Sequence, residues 1–335
     1  MQKTIHSILF KPITSNYNQL NTAQLHMNKM LYDAVIVGGG PAGLSMAVLF
    51  ARQAYTALVI DSGEYRNERA AHMHNVPGFD HVAPSEFRAK IRADLKARYS
   101  TISFLDAKVT SVKKVNDSLF EATANNGQIY KGKKLGLGIG VRDKLEDEVT
   151  GYDECFGYGV FHCMFCHGYE ERGGTAGVLM TGIIQDKMVG HATLMAKRLS
   201  QKVTVYTDGK DWEYQGKSSK IGVDKRKIQS LRLVDGGPRV LITFEDGSTA
   251  EEGFIASHPL VEARSDLAAQ LGVEFNPSGE IKVDMFGETS VKGCFAGGDI
   301  ATMMRGVVQA EQTGSLAGFG MINSLMHELE ESDEL

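Results

Sequence analysis

The sequence predicts an α/β protein made of two Rossmann-like (βαβ) dinucleotide-binding domains, the second inserted into the first. Three observations carry this. An apolar strand at residues 34–37 runs straight into Gly38-Gly39-Gly40-Pro41-Ala42-Gly43, and a helical stretch follows. A second strand–helix–strand unit spans residues 177–207, near the middle of the chain. Close to the C-terminus a strand ends in Gly298-Asp299, ahead of another helix at 307–326.

The first unit has the stronger chemistry. Gly38, Gly40 and Gly43 form a GxGxxG, with Pro41 and Ala42 inside it. Gly38 permits the tight turn, Gly40 lets backbone approach a pyrophosphate, and Gly43 lets the helix at 44–52 pack close to the strand. The helix N-terminus then faces the negative charge. The next strand, 57–60, ends in Asp61, where a carboxylate would take the ribose hydroxyls. GxGxxG alone is weak; strand before, helix after and acid beyond make it a dinucleotide site.

Residues 63–80 read as a loop carrying Arg66, Asn67, Asn75 and a Pro77-Gly78 turn. Residues 84–99 form an amphipathic helix whose basic face reads as solvated. Strands are expected at 102–109, 120–123 and 128–130, and a glycine-interrupted one at 135–141. After residues 151–168 come a strand at 177–180, a helix at 188–199 and a strand at 203–207. This second unit keeps the fold pattern but lacks most of the nucleotide chemistry. Thr181-Gly182-Ile183-Ile184-Gln185-Asp186 keeps one glycine, and its two isoleucines would crowd a pyrophosphate. Thr207-Asp208-Gly209-Lys210-Asp211 offers acids where a 2′-phosphate needs arginine. Strands at 229–234, 239–244 and 248–255 complete the insert, and near Pro259 the chain returns. The predicted division is a flexible extension (1–31), a discontinuous nucleotide domain (32–148 and 260–328), an inserted domain (149–259) and an acidic tail (329–335).

Between the two units lies Cys163-Met164-Phe165-Cys166-His167. Two cysteines so spaced can close a small disulfide or open to a dithiol, and at a helix N-terminus a thiol becomes a usable nucleophile. The chain has 335 residues and four cysteines, Cys155, Cys163, Cys166 and Cys294, too few for a secreted disulfide scaffold. A net charge of −5 gives no case for nucleic acid or an anionic membrane as partner. No run of about 18 apolar residues suggests a membrane span. Residues 1–30 contain no Asp, Glu or Arg. A transit peptide would share the lack of acids but not the lack of arginine, so a cytoplasmic protein is expected, with a transit segment kept open.

Together, the N-terminal GxGxxG, the CxxC of the inserted domain and the C-terminal Gly-Asp-helix resemble the low-molecular-weight thioredoxin reductase family, over residues 32–326. The resemblance implies FAD held by both chain ends, and a homodimer. By matching positions it assigns FAD contacts to Gly38, Gly40, Pro41, Ala42, Gly43, Asp61, Arg66, Asn67, Asn75, Gly298 and Asp299, and to the backbone of Val109 against adenine. Three departures stand out. His167 replaces the usual Asp after the second cysteine, Gly138-Ile139-Gly140 replaces Ala-Thr-Gly, and the NADPH motifs are missing. Cys-x-Phe-Cys-His-Gly-Tyr-Glu, Arg66-Asn67 and the run from Met73 to Asp80 look like the dithiol oxidases of disulfide natural products such as gliotoxin, holomycin and romidepsin.

The resemblance implies a small dithiol as substrate and dioxygen as final acceptor. Cys163 is attacked, Cys166 lies toward the flavin, and His167 serves as base. An NADPH-dependent disulfide reductase is the main alternative, but it needs a nicotinamide site. CxxCH also matches c-type haem attachment, but no exported or organellar context is evident and the flavin motifs leave a haem without a role. Zinc on Cys163, Cys166 and nearby histidines lacks a second ligand pair, so no metal is expected. A non-catalytic flavoprotein sensor is the remaining class.

Overall fold

The structure, a computed structural model, describes residues 30–146, 148–185 and 187–333. The expected N-terminal extension lies outside them except for Met30 and Leu31, and Leu31 already opens the first strand. The chain begins with β1 (Leu31–Val37), α1 (Pro41–Arg52), β2 (Ala57–Asp61), α2 (Pro84–Arg98), β3 (Ile102–Asp106), β4 (Val109–Asn116), β5 (Leu119–Ala124) and β6 (Ile129–Leu137). It continues through β7 (Val141–Asp143), α3 (Tyr152–Cys155), β8 (Val160–Phe161), α4 (Met164–His167), β9 (Thr175–Leu179), α5 (Lys187–Leu199), β10 (Lys202–Tyr206) and β11 (Ile221–Asp224). Next are β12 (Ile228–Leu233), β13 (Val240–Phe244), β14 (Thr249–Glu252), β15 (Phe254–Ala256) and β16 (Val261–Ala263). The chain closes with α6 (Leu267–Gln270), β17 (Cys294–Ala296) and α7 (Val307–Glu331).

As predicted, the architecture is α/β with two parallel-sheet units. The first sheet runs β3–β2–β1–β6–β5–β4, with β17 also on β6. Its β3–β2–β1–β6 core is parallel, while β5 and β4 add antiparallel to the edge. Ala34, Val35 and Ile36 of β1 are buried, as an interior parallel strand covered on both faces requires. α1 and α7 cover one face and pack through glycine: a Cβ at Gly314 would stand 2.3 Å from the Ala42 carbonyl oxygen. The second unit is the parallel sheet β11–β10–β9–β15–β8, flanked by the antiparallel β12–β13–β14. The outgoing β7 and returning β16 pair antiparallel where the chain passes between units. No described helix is long and apolar enough to cross a membrane.

Several elements differ from expectation. The strand expected at 102–109 breaks after Asp106, because β3 and β4 lie at opposite edges of the sheet and the chain must cross between them. The expected strands at 128–130 and 135–141 are largely one strand, β6, which stops before Gly138. The strand expected at 248–255 changes sheets at Gly253: β14 pairs antiparallel with β13, and β15 lies parallel to β9. A Cβ there would sit 2.8 Å from the Thr175 carbonyl oxygen. The acidic tail expected from 329 is helical through Glu331. Leu325 and Leu329, four apart, face the core, and Glu328 bonds the fully buried Lys134 at 2.6 Å, so that last turn is anchored.

Candidate active site

The two α/β units meet over a cleft of about 800 Å³. Its floor is the carboxyl edge of the first sheet: Val37, Ile60, Asp61 and Gly138 at strand ends, with Ala107–Val109 crossing above. Open α/β sheets hold ligands at this edge. Of the residues singled out from the sequence, Gly38, Gly40, Pro41, Ala42, Asp61, Arg66, Asn67, Asn75, Val109, Cys163, Cys166, His167, Gly298 and Asp299 line it. Gly43 sits behind the wall, where a Cβ would come within 1.9 Å of the Gly38 carbonyl oxygen. Gly38 has φ +107°, and its missing side chain admits the Gly138 carbonyl, 2.3 Å from the Cβ position. Gly40 differs: a Cβ there meets no protein atom within 4 Å. Protein packing does not demand glycine at 40; close approach of a ligand does.

Around this floor the charged groups are tightly partnered. Asp61 is buried, accepts the Gly63 N–H at 3.1 Å, and also accepts from the Tyr65 hydroxyl and from Arg92 at 3.3 Å. Arg88 lies 3.5 Å over the Tyr65 ring and donates to Asn67 at 3.2 Å. The basic face of α2 is only partly solvated: Lys90, Lys96 and Arg98 are exposed as expected, while Arg88 and Arg92 turn inward and position Tyr65, Asn67 and Asp61. Arg66 forks onto Asp143 at 3.0 and 2.8 Å and reaches Asp299 at 3.3 Å. Burial opposes the charge on Asp143, yet paired Arg66 holds its carboxyl below the usual range. On Asp299 burial wins over Arg66, and the carboxyl is held above the usual range. Arg305 donates to the Asp299 carbonyl at 3.2 Å and to Glu280 at 2.9 Å.

The opposite wall carries the redox pair. Cys163 and Cys166 form a disulfide, Cα atoms 5.2 Å apart, across the single turn α4. The Cys166 and His167 N–H groups bond the Cys163 carbonyl at 3.1 and 3.2 Å. Asn75, reaching from the first unit, donates its amide to the Phe165 carbonyl between the cysteines at 3.0 Å. The His167 ring lies flat on Phe161, centroids 5.0 Å apart. Both its ring nitrogens are buried without a hydrogen-bond partner among the described residues. Burial, and secondarily the nearby His74, depress its pKa, so the ring is neutral near pH 7. A neutral, unpartnered imidazole beside a disulfide is poised to accept a proton. His162 is also neutral, pushed by burial down to about 3, and packs edge-on against His258 at 5.7 Å. Cys155 and Cys294 are buried, with thiols pushed up to about 11 and about 12 by burial, which leaves them inert.

In the second unit the turn after β9 is closed on itself. The N–H groups of Thr181, Ile183, Ile184 and Gln185 bond the carbonyls of Leu179, His258, Thr181 and Ile183 at 2.7–3.0 Å. Lys210 Nζ donates to the Met180 carbonyl at 2.6 Å. These four backbone donors of the turn are already used, and Ile183 and Ile184 face the main cleft.

Residues 32–314 match the pyridine nucleotide-disulphide oxidoreductase family. The chain belongs to that family. It is 41% identical over 297 residues to the thioredoxin reductase tcpT of Claviceps purpurea, covering 86% of this chain and 92% of that one. It is 37% identical over 307 residues to the thioredoxin reductase aclD of Aspergillus oryzae, covering 88% and 96%. Among solved structures, HlmI superposes with a TM-score of 0.81 at 27% identity, over 90% and 95% of the chains. An oxidoreductase from Agrobacterium tumefaciens gives 0.79 at 30% identity, over 89% and 99%. The protein is thus a flavin disulphide oxidoreductase, and FAD is its cofactor. The cleft fits that group: an open Gly40, the start of α1, and Gly298-Asp299 ahead of α7 converge on one side of it.

Proposed function

We propose that the protein oxidises a small dithiol to a disulfide through Cys163 and Cys166. The observation that carries this reading is the disulfide itself, which opens with unpartnered His167 onto the same cleft as the glycine cradle. A substrate thiolate attacks Cys163 Sγ, the Cys163–Cys166 bond breaks, and Cys166 leaves as a thiolate. His167 accepts the proton of the second substrate thiol. That thiolate attacks the substrate sulfur of the mixed disulfide, Cys163 leaves, and the product departs as a disulfide. FAD, when bound, would supply the two-electron acceptor for the Cys163–Cys166 dithiol, with dioxygen as the terminal oxidant and hydrogen peroxide as the by-product.

The turn after β9 supports this direction over a reductase fed by NADPH, because four of its N–H groups are spent on protein carbonyls and its one glycine is followed by two isoleucines. In this reading Gly38, Gly40, Pro41, Ala42, Gly43, Asp61, Asn67, Val109, Gly298 and Asp299 hold FAD, and Arg66 sets the Asp299 carboxyl. Asn75, bonded to Phe165, positions the cysteine turn. The resemblance to natural-product dithiol oxidases supports a place in secondary metabolism, a homodimer and a cytoplasmic location. The test is dioxygen uptake with simple dithiols such as dithiothreitol. Uptake with stoichiometric peroxide and no NADPH is expected; uptake that requires NADPH would refute the proposal.

A further inference from the structure

The loop between β2 and α2 gathers three histidines that the redox chemistry does not use. A bridge between Met73 and Val82, with bonds of 2.8 and 2.9 Å from Met73 and His81 N–H groups, folds it back on itself. His81 is held at φ +62°, a left-handed conformation uncommon for a residue with a side chain. The fold-back stacks His72 on His81 at 4.0 Å and brings the His74 ring within 5.3 Å of the His81 ring. From the other unit, Glu170, three residues past His167, completes the group. Ligand atoms of His74, His81 and Glu170 all lie within 4.8 Å of one another.

We propose that His74, His81 and Glu170 form a binding site for a divalent cation of the zinc class, spanning the two units. Geometry and donor type both point there. His74 Nε2 and Glu170 Oε1 are 3.5 Å apart, long for a hydrogen bond. Two ligands each about 2.0–2.1 Å from a tetrahedral zinc stand about 3.4 Å apart. Two imidazoles and a carboxylate suit zinc, with a water as fourth ligand. Behind His74, its Nδ1 faces Asp80 at 3.4 Å, and Asp80 is held by the Asn75 N–H at 3.2 Å. A carboxylate behind the far nitrogen of a histidine is the arrangement that orients metal-binding imidazoles. The same loop already grips the cysteine turn through Asn75 and Phe165. A cation would add a second tie, fastening Cys163–Cys166 over the cleft.

Calorimetric titration of the tag-free, FAD-loaded, disulfide-form enzyme with Zn²⁺ tests this, since oxidised cysteines cannot compete. Saturable one-to-one binding is expected, with intense visible bands when Co²⁺ is used instead. His74→Ala, His81→Ala and Glu170→Gln should each abolish those bands. Asp80→Asn should weaken Zn²⁺ by about 10- to 100-fold, the usual cost of losing the carboxylate behind a ligand. The flavin spectrum reports that each variant is folded. No saturable Zn²⁺ binding, or binding unchanged in these variants, would overturn the site.

Discussion

Cys163→Ser or Cys166→Ser should abolish dithiol oxidation, by roughly 10⁴-fold or more, while the protein stays yellow. The two residues act as a unit, so the double variant should be no worse than either single one. Unfolding is not the cause of the loss: opening a ring closed by neighbours three apart costs about 2 kcal/mol in the chain-entropy account. Cys155→Ala provides the control. That thiol is buried and pushed up to about 11, so turnover should persist. Steady-state turnover and the flavin band, measured on the same samples, check both statements. Full turnover in either single variant would end the role given to the pair.

His167→Asn should lower kcat/KM near pH 7 by roughly 10²- to 10⁴-fold, the usual contribution of a placed base. The pH profile distinguishes that role from packing. Burial depresses the His167 pKa below its ordinary value, so the wild-type ring stays neutral and able to take a proton below about pH 6.5. Activity should therefore persist into mildly acidic solution and fall only as pH drops through that depressed pKa. In the variant this limb should vanish, and the deficit should shrink toward pH 9, where a thiol of pKa about 8.5 ionises unaided. A deficit of equal size at pH 7 and pH 9 would make His167 a packing residue. The sign also runs through stability. An imidazole depressed in the folded state binds fewer protons there than when unfolded, so its contribution is present above about pH 6.5 and is lost as pH falls below it.

The parts of the site legible in sequence were those fixed by local backbone needs. Gly38, Gly40 and Gly43 follow from a turn, an open approach and a helix contact, each visible in a six-residue motif. The cysteine pair and His167 were legible for the same reason. The departure of the second unit from GxGxxG was too, and four N–H groups of its turn, those of Thr181, Ile183, Ile184 and Gln185, already bond protein carbonyls. Long-range partners were not legible. Arg88 and Arg92 look like any basic helix face until folding places Tyr65 and Asp61 beneath them. Asp143 and Asp299 share Arg66 across separations of 77 and 233 residues, which no local pattern encodes. Asn75 lines the cleft, and its amide also reaches the cysteine turn of the other unit, a contact no local pattern encodes. The edge strand β4 was missed because Val109–Asn116 is mostly polar and exposed, and its two buried residues, Val109 and Val112, stand three apart across a register shift and show no strand alternation. The sheet change at Gly253 was missed because an isolated glycine in an expected strand marks a bulge or close approach without saying which partner the chain takes next.

The direction of electron flow is the central claim, and anaerobic mixing of the FAD enzyme with each donor tests it most directly. A small dithiol should bleach the flavin band near 450 nm rapidly and in the absence of any nucleotide, whereas NADPH should leave it unchanged on the same timescale. Rapid bleaching by NADPH, with none by dithiols, would reverse the flow and make the protein a reductase.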